Sequence, residues 1–208
     1  MAPGWPVTLQ AGPVGLRPIR RSDAAQWRAV RERNVAWLAP WDATPPPGAP
    51  GPRAVTFAGM VRHLRRDAAA GRALPFIVTY EGRLVGQLTV FGIEWGSLQG
   101  GGVGYWIDQA YAGRGVIPTA VALAVDHCFT TVGLHRIEVN IRPENAPSRR
   151  VVEKLGFRCE GRRERYLHIA GAWRDHLTFA LTAEEVPGGL LARWREAQAG
   201  RAPGQDGR

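Results

Sequence analysis

A glycine-bearing turn between a strand-like run and an apolar helical pattern carries the residues best suited to chemistry. Gly113 and Gly115 flank Arg114, and Pro118 follows near the start of the helix. The first N–H groups of a helix lack intrahelical partners and lie at the positive end of its dipole. Glycine permits positive φ and close approach of a ligand, and arginine adds a cation. The turn therefore predicts a phosphate-binding site, with an unliganded β–α connection as the alternative.

A pair of polar residues opens a later helical segment. Asn145 and Ser148 are three residues apart and enclose Pro147, and Gly156 ends the pattern. Asparagine and serine commonly cap helix N-termini, and glycine commonly ends helices in the left-handed conformation. Capping alone would explain the pair. Together with the glycine turn, however, the pair forms a more specific motif.

Three segments jointly resemble the GCN5-related N-acetyltransferase (GNAT) family. Residues 108–118, 145–148 and 153–157 are similar to the acetyl-CoA-binding turn of that family, its Asn-x-x-Ser helix and the end of that helix. The resemblance extends from Leu16 to Leu181. Residues 38–41, Leu-Ala-Pro-Trp, are similar to the subgroup of ribosomal-protein alanine N-acetyltransferases.

The resemblance implies an α/β fold (an α+β mixed sheet) with three α/β/α layers, in which two central parallel strands splay apart. Acetyl-CoA (coenzyme A) is the implied cofactor, and its pantetheine arm would pair with the exposed strand edge. The family's turn pattern, Gln/Arg-x-x-Gly-x-Gly/Ala, is matched strictly only at Gly115. We expect Ala112 and Ile117 to weaken cofactor affinity without abolishing it. The implied cofactor-binding residues are Tyr105, Trp106, Ile107, Gly113, Arg114, Gly115, Val116, Ile117, Asn145, Ser148 and Arg150.

The same resemblance implies catalytic roles for two residues. The N–H of Tyr105 would stabilise the oxyanion, and Ser148 would be the general acid that protonates the leaving thiolate. The acceptor amine also needs a base or a water chain. Glu94 is a candidate base because it follows a hydrophobic run that would raise its pKa, and an exposed turn glutamate is the alternative. His168 is a second candidate, because the subgroup's later acidic position falls near it.

Two tryptophans lie on either side of a proline in the resembling segment. Trp37 and Trp41 flank Pro40, and they predict either core residues or an aromatic wall of a substrate cleft. The proline-rich run 44–52 predicts an exposed flap beside them. The predicted substrate-binding residues are Trp37, Trp41, Glu94 and His168.

Hydrophobic periodicity predicts the elements that position these residues. Strands are predicted over 16–20, 74–80, 84–91, 105–107, 136–141, 157–166 and 173–181, and helices over 23–38, 57–68, 117–129, 148–155 and 184–199. Asp23 and Gln26 have the spacing of a capping box at the first helix. Gly86, inside a strand, predicts a bulge or a close backbone approach. A strand, a helix and a strand over 105–141 imply a parallel crossover.

The length of 208 residues predicts one sizeable domain. We divide the chain into an N-terminal extension (1–15), the N-acetyltransferase domain (16–182), and a C-terminal helix with a flexible tail (183–208). No run is apolar enough to cross a membrane, and no leader pattern is present, so the sequence predicts a cytoplasmic protein. Cys128 and Cys159 lack zinc-site spacing, and no metal is predicted.

The formal net charge of +9 raises the alternative of a nucleic-acid-binding protein. Lys154 is the only lysine, so arginine supplies 27 − 1 = 26 of the cations, and no basic block is present. Such a bias can come from genome composition, and nucleic acid is therefore not the expected partner. An acyl-CoA sensor without turnover is a further alternative.

The sequence predicts an acetyl-CoA-dependent N-acetyltransferase, an acyltransferase acting on a primary amine. The expected acceptor is a protein or peptide N-terminal α-amine, such as a ribosomal protein N-terminus, because the tryptophan wall and proline flap suggest an open groove. A small amine, such as an amino acid or an antibiotic, is the alternative acceptor. No membrane partner is expected, and monomer and homodimer are both open.

Overall fold

The computed structural model describes residues 1–49 and 56–200. Within this part, the strands are β1 (Leu9–Ala11), β2 (Val14–Pro18), β3 (Leu74–Tyr80), β4 (Arg83–Glu94), β5 (Gly100–Ile107), β6 (Arg136–Ile141), β7 (Arg158–Ile169) and β8 (Ala172–Thr182). The helices are α1 (Ala24–Arg33), α2 (Val35–Leu38), α3 (Phe57–Ala69), α4 (Val116–His127), α5 (Ala146–Leu155) and α6 (Leu190–Ala199). Residues 50–52 of the predicted flap and 201–208 of the predicted tail lie outside the described residues.

The strands form one eight-stranded mixed sheet in the order β1-β2-β3-β4-β5-β6-β8-β7. Strands β1 to β5 pair antiparallel in sequence order, and β6 pairs parallel with β5. The hairpin β7–β8 closes the other side, with β8 antiparallel to β6. The predicted parallel connection therefore lies at the middle of the sheet.

Helices cover both faces of the sheet. Adjacent residues of a strand point to opposite faces, and in β3 Phe76 packs in the core with α4 whereas Ile77 packs with α1 and α3. Helix α4 is apolar nearly all round and is buried between the sheet and α6. Helix α5 covers β6 on the same face as α4. The result is the predicted three-layer α/β/α arrangement.

Gly86 makes the close backbone approach that its place in a strand predicted. A Cβ at Gly86 would lie 2.3 Å from the carbonyl oxygen of Trp106 on the neighbouring strand β5. Only glycine therefore permits this spacing between β4 and β5. The register of the hairpin also shifts beside Gly86: Val78 is opposite Gly86 and Thr79 is opposite Leu84, so Val85 is the extra residue of β4. The predicted irregularity and the close approach therefore occur at the same place.

The N-terminal part differs from the prediction in three ways. The three-residue strand β1 was missed, and it adds part of the predicted extension to the sheet. The predicted helix over 23–38 is two helices, interrupted at Asn34. The expected capping box with Gln26 does not form, because Asp23 instead accepts from the Arg20 N–H at 2.7 Å and pairs with Arg17 at 2.7 Å.

The C-terminal part also differs from the prediction. The segment predicted as one helix over 184–199 contains a short 3-10 turn at Ala183–Glu185 and then α6. Asp126 of α4 accepts from the N–H groups of Leu190 and Leu191, at 2.6 and 3.0 Å, and so fixes the start of α6. Trp194 donates to Thr119 of α4 at 2.9 Å. Helix α6 is thereby fastened to α4 close to the glycine turn. Within the described residues, no helix is both long and apolar enough to span a bilayer.

Candidate functional site

The two central parallel strands separate after a short paired stretch. Strand β5 pairs with β6 only over Gly100–Gly102, and no pairing between them continues toward Ile107. On its other side, β5 stays paired with β4 as far as Ile107. This is the splay that the sequence resemblance implied. It leaves one edge of β5 without a neighbouring strand over residues 103–107.

The register of β4 and β5 determines which main-chain groups face the opening. Asp108 N–H donates to Val85 at 2.7 Å, and Gly86 is opposite Ile107. Because hydrogen-bonded and non-bonded pairs alternate in an antiparallel ladder, the N–H and C=O groups of Tyr105 and Ile107 point away from β4. The indole N–H of Trp37 donates to the Ile107 carbonyl at 3.2 Å from that side. The edge thus offers donors and acceptors to an extended ligand.

The glycine turn lies at the wide end of this opening. Gly113 and Gly115 have φ of 79° and 76°, in the left-handed region that favours glycine, and Gly115 is the N-cap of α4. No side chain caps α4, and Gly115, Val116 and Ile117 line the cavity, so the first N–H groups of α4 are available to a ligand there. Arg114 stacks over the Tyr111 ring at 5.2 Å. This geometry fits a diphosphate, which the helix dipole would also stabilise.

One cavity of ≈480 Å³ joins the turn, the open strand edge and the start of α5. Its wall contains twelve of the residues predicted to bind the cofactor or the substrate, together with one carboxylate that was not predicted. The predicted ones are Trp37, Trp41, Tyr105, Trp106, Ile107, Gly113, Gly115, Val116, Ile117, Asn145, Ser148 and Arg150, and the unforeseen carboxylate is Asp42. These residues lie on α2 and just after it, on β5, on the glycine turn, on the first turn of α4, and on α5 with its N-cap.

Asn145 and Ser148, at the start of α5, use their side chains for different hydrogen bonds. The Oδ1 of Asn145 accepts from the Ser148 N–H at 3.1 Å, so Asn145 does cap the helix, as the simpler interpretation held. Its side-chain amide nitrogen is the group that could donate to a pantetheine carbonyl. The Ser148 hydroxyl is not used for capping and lies 2.8 Å from the Tyr105 hydroxyl. Burial raises the pKa of the Tyr105 phenol well above its usual range, against the opposing effect of the Ser148 hydrogen bond.

A cation held between aromatic rings lies behind the cavity wall. Arg31 of α1 stacks over Trp27 at 5.6 Å and over Trp106 at 5.2 Å. Its guanidinium also hydrogen-bonds the carboxylate of Asp42, with Nη1 3.3 Å from Oδ1. Asp42 is therefore fixed in the cavity wall. Its neighbour Trp41 also lies in the wall and stacks with the Arg142 guanidinium, which is 5.4 Å from the ring centroid.

A buried carboxylate fastens α1 to the end of β5. Asp108 accepts from Arg33 at 3.1 Å and from the Asn34 side-chain amide at 2.8 Å. Asn34 in turn accepts from the Gln109 N–H at 2.9 Å. Burial raises the pKa of Asp108, but the hydrogen bonds from Arg33 and Asn34 outweigh it and leave the pKa below its usual value. The glycine turn begins only a few residues later, so this cluster sets its position.

Three predicted residues are not brought to the cavity. Glu94 is exposed at the end of β4 opposite Gly100, roughly 17 Å along β5 from Tyr105 at about 3.4 Å per residue. His168 is buried, and its Nδ1 contacts the Thr44 carbonyl at 2.9 Å, which ties the segment after Trp41 to β7. Arg114 is exposed at the rim. Glu94 is exposed, as its alternative interpretation held, although it is the last residue of β4 and not part of a turn.

The residues that sequence analysis missed carried only weak signals. Asp42 follows Trp41 directly, and a carboxylate beside a tryptophan wall could have been noted. The family resemblance assigns a role to the main-chain N–H of Tyr105 and none to its phenol. The cluster of Arg33, Asn34 and Asp108 joins residues 74 and 75 positions apart, and no spacing rule reveals such a contact.

Comparisons with known proteins agree with this geometry. The family model described as "Acetyltransferase (GNAT) domain" matches residues 14–158. The probable N-acetyltransferase YjcK of Bacillus subtilis is 42% identical over 99 residues, which cover 48% of this chain and 55% of that relative. The [ribosomal protein uS5]-alanine N-acetyltransferase of Escherichia coli is 29% identical over 163 residues, 78% of this chain and 77% of that protein.

A solved structure resembles the whole described fold. Mycobacterium smegmatis RimJ in complex with CoA-disulfide is 44% identical, with a TM-score of 0.88, and the match covers 95% of this chain and 98% of that one. The ribosomal-protein-S5-alanine acetyltransferase of Vibrio fischeri is 29% identical, with a TM-score of 0.74 and coverage of 85% and 96%. Both relatives share the architecture in which the cavity is found.

Proposed function

We propose that this chain, which belongs to the GNAT acetyltransferase family, transfers an acetyl group from acetyl-CoA to the N-terminal α-amine of a protein, of the ribosomal-protein type. The observation that carries the proposal is the unpaired edge of β5 beside the positive-φ glycine turn. An extended arm with amides fits the edge, and a diphosphate fits the turn. Two relatives named for alanine N-acetylation of a ribosomal protein support the acceptor class.

The composition of the cavity wall supports the cofactor-binding residues that we propose. When bound, acetyl-CoA supplies the activated thioester carbonyl that an amine attacks. Main-chain N–H groups from Gly113 to Ile117 would hold the diphosphate, with Arg150 in the wall and Arg114 at the rim adding positive charge. The Ile107 main chain and the Asn145 amide would bind the arm. Main-chain donors dominate this set, which supports binding despite the departures at Ala112 and Ile117.

Two groups would act at the reacting atoms. The N–H of Tyr105 faces the unpaired edge and would stabilise the oxyanion. The Ser148 hydroxyl would protonate the leaving thiolate. Both groups belong to the wall of the same cavity. Their roles remain those predicted from the sequence.

The acceptor side of the cavity is aromatic and carries one carboxylate among the described residues. Trp37, Trp41 and Trp106 lie in the wall with Asp42. An ammonium group is attracted by a carboxylate and by aromatic faces, so this side suits an amine. Glu94 and His168 do not line the cavity, and we therefore assign deprotonation of the amine to water within it.

The experiment that tests the proposal is a thiol-release assay with acetyl-CoA. The acceptors are a ribosomal-protein N-terminal peptide that begins with alanine, the same peptide with its α-amine blocked, free alanine and an aminoglycoside. We expect thiol release with the free peptide and mass-spectrometric acetylation of its α-amine. Thiol release only with free alanine or the aminoglycoside would show that the acceptor is a small amine and not a protein N-terminus. Thiol release with no acceptor would overturn the proposed transfer.

A further inference from the structure

Within the described residues, the side chain of Tyr105 forms hydrogen bonds with one residue, Ser148. Its hydroxyl lies 2.8 Å from the Oγ of Ser148 and 3.4 Å from the Ser148 carbonyl oxygen. Tyr105 comes from the open edge of β5, and Ser148 comes from the first turn of α5. The contact therefore bridges the splay at the point where the cavity reaches both elements.

The Ser148 hydroxyl has no structural duty that would explain the contact. The N-terminal N–H that a cap must satisfy is already bonded to Asn145. A serine hydroxyl has one hydrogen to donate and two lone pairs to accept with. If the phenol donates to one lone pair, the serine hydrogen is left free for another acceptor, and Ser148 lines the cavity.

We propose that the Tyr105 phenol is a positioning residue that donates to the Ser148 oxygen and turns the Ser148 hydrogen toward the cavity. This inference rests on the proposed function, since it concerns how the general acid is aimed. It is separate from the role of the Tyr105 N–H, because the two groups are on the side chain and the main chain. The phenol thus acts through Ser148 and does not touch the reacting atoms.

The proton transfers balance without any further reactant. The amine nitrogen forms the new bond to the acetyl carbon, and the carbon–sulfur electron pair goes to sulfur. The Ser148 hydroxyl gives its proton to that sulfur, and the proton lost by the amine returns to Ser148 through water. The phenol keeps its proton throughout, and its hydrogen bond is strongest while Ser148 is negatively charged. Burial of the phenol favours this protonated form.

The test is a double-mutant cycle with Tyr105→Phe and Ser148→Ala. Phenylalanine keeps the ring and the main-chain N–H, so only the phenol hydroxyl is lost. We expect kcat to fall about tenfold in Tyr105→Phe, the size of one hydrogen bond of about 1.4 kcal/mol, with the KM for acetyl-CoA unchanged. The double variant should be no slower than Ser148→Ala alone. Tyr80→Phe, on β3 and outside the cavity wall, is the matched control and should keep full activity.

A second measurement needs no cofactor and no turnover. In the proton NMR spectrum of the free protein, the hydrogen-bonded phenol proton of Tyr105 should exchange slowly with water. We expect its resonance to be lost in Tyr105→Phe and displaced in Ser148→Ala, and to be unaffected in Tyr80→Phe.

Several outcomes would overturn the inference. One is full kcat in Tyr105→Phe, a second is multiplicative loss in the double variant, and a third is a raised KM for acetyl-CoA with unchanged kcat. An undisplaced phenol resonance in Ser148→Ala would also contradict it. If the wild-type protein releases no thiol with any amine, the proposed function fails instead, and the NMR result still reports whether the phenol donates to Ser148.

Discussion

At the scale of single residues, Asp42 and Gly86 each make a contact on which the cavity depends. Asp42 brings a negative charge into an otherwise aromatic wall, where Arg31 holds it. Gly86 allows β5 to come so near to β4 that the Trp106 carbonyl occupies the space of a side chain. One residue acts on the acceptor and the other on the strand edge that receives the cofactor, so their substitution should have separable effects.

Substitution of Asp42 tests the acceptor side. In Asp42→Asn the amide keeps the shape but loses the charge that attracts an ammonium group, so the KM for the peptide amine should rise by about tenfold. The Kd for acetyl-CoA, measured by calorimetry, should stay within about twofold. The control is Asp67→Asn on α3, which removes a carboxylate paired with Arg72 and should change neither constant. An unchanged peptide KM would exclude Asp42 from amine binding.

Substitution of Gly86 tests the strand edge. In Gly86→Ala the new Cβ would meet the Trp106 carbonyl at 2.3 Å, so β5 must shift. Overpacking of this kind costs about 2 kcal/mol of unfolding free energy, and acetyl-CoA should bind more weakly as well. Urea denaturation and calorimetry measure the two effects. Gly188→Ala meets nothing within 4 Å and should change stability by less than about 0.5 kcal/mol. Equal stability of the two variants would contradict the close approach.

At the scale of elements, the cluster around Asp108 joins α1 to the turn that follows β5. Arg33 and Asn34 reach Asp108 from the end of α1, and Asn34 also holds the Gln109 N–H. Since α4 starts just beyond this turn, α1 determines the position of the first N–H groups of α4. A substitution in the cluster should therefore affect both stability and cofactor binding.

The pH dependence of stability gives a test of this cluster. The pKa of Asp108 is lowered in the folded protein, so its contribution is complete above the unfolded value of about 4 and is lost as the pH falls through the folded value. Asp108→Asn should cost about 2 kcal/mol at pH 7. It should also lose less stability than the wild type between pH 5 and the acid limit, as followed by thermal unfolding. A variant that keeps the full acid dependence would contradict the assignment.

The elements differ in how far the sequence could predict them. The β3–β4 hairpin, α4 and α5 have strong hydrophobic patterns or flanking glycines, and the structure confirms them. Strand β1 is three residues long, too short for a periodic signal. The capping box expected between Asp23 and Gln26 does not form, because the Asp23 carboxylate accepts from the Arg20 N–H and from Arg17 instead. Glu94 ends β4 as expected, but its distance from the cavity depends on the register opposite Gly100, which no local pattern contains.

At the scale of the whole molecule, the predicted family, fold class and use of acetyl-CoA are confirmed by the family match and by the similarity to a CoA-bound relative. The site could be predicted as far as it lies in the family's motifs, which include the turn and the Asn145–Ser148 helix. On the acceptor side, Trp37 and Trp41 could be predicted, but Asp42 and its contact with Arg31 could not, because that contact joins α1 to the segment after α2. The predicted domain boundaries remain a prediction.

The net charge of +9 is the main argument for the alternative function, nucleic-acid binding. Many arginines of the sheet are engaged in ion pairs, among them Arg136 and Arg163 with Glu138, and Arg162 with Asp175. Paired arginines have less charge to offer to a nucleic acid backbone. A cofactor held by main-chain amides should also respond less to salt than a polyanion, whose binding releases counterions.

The most direct test of the central claim is an isothermal titration of the protein with acetyl-CoA, repeated with a single-stranded oligonucleotide, at low and at physiological salt. The unpaired edge of β5 and the glycine turn predict one-to-one binding of acetyl-CoA at both salt concentrations, and weak or absent binding of the oligonucleotide. Folded protein that gives no heat with acetyl-CoA, yet binds the oligonucleotide with a steep salt dependence, would contradict the account.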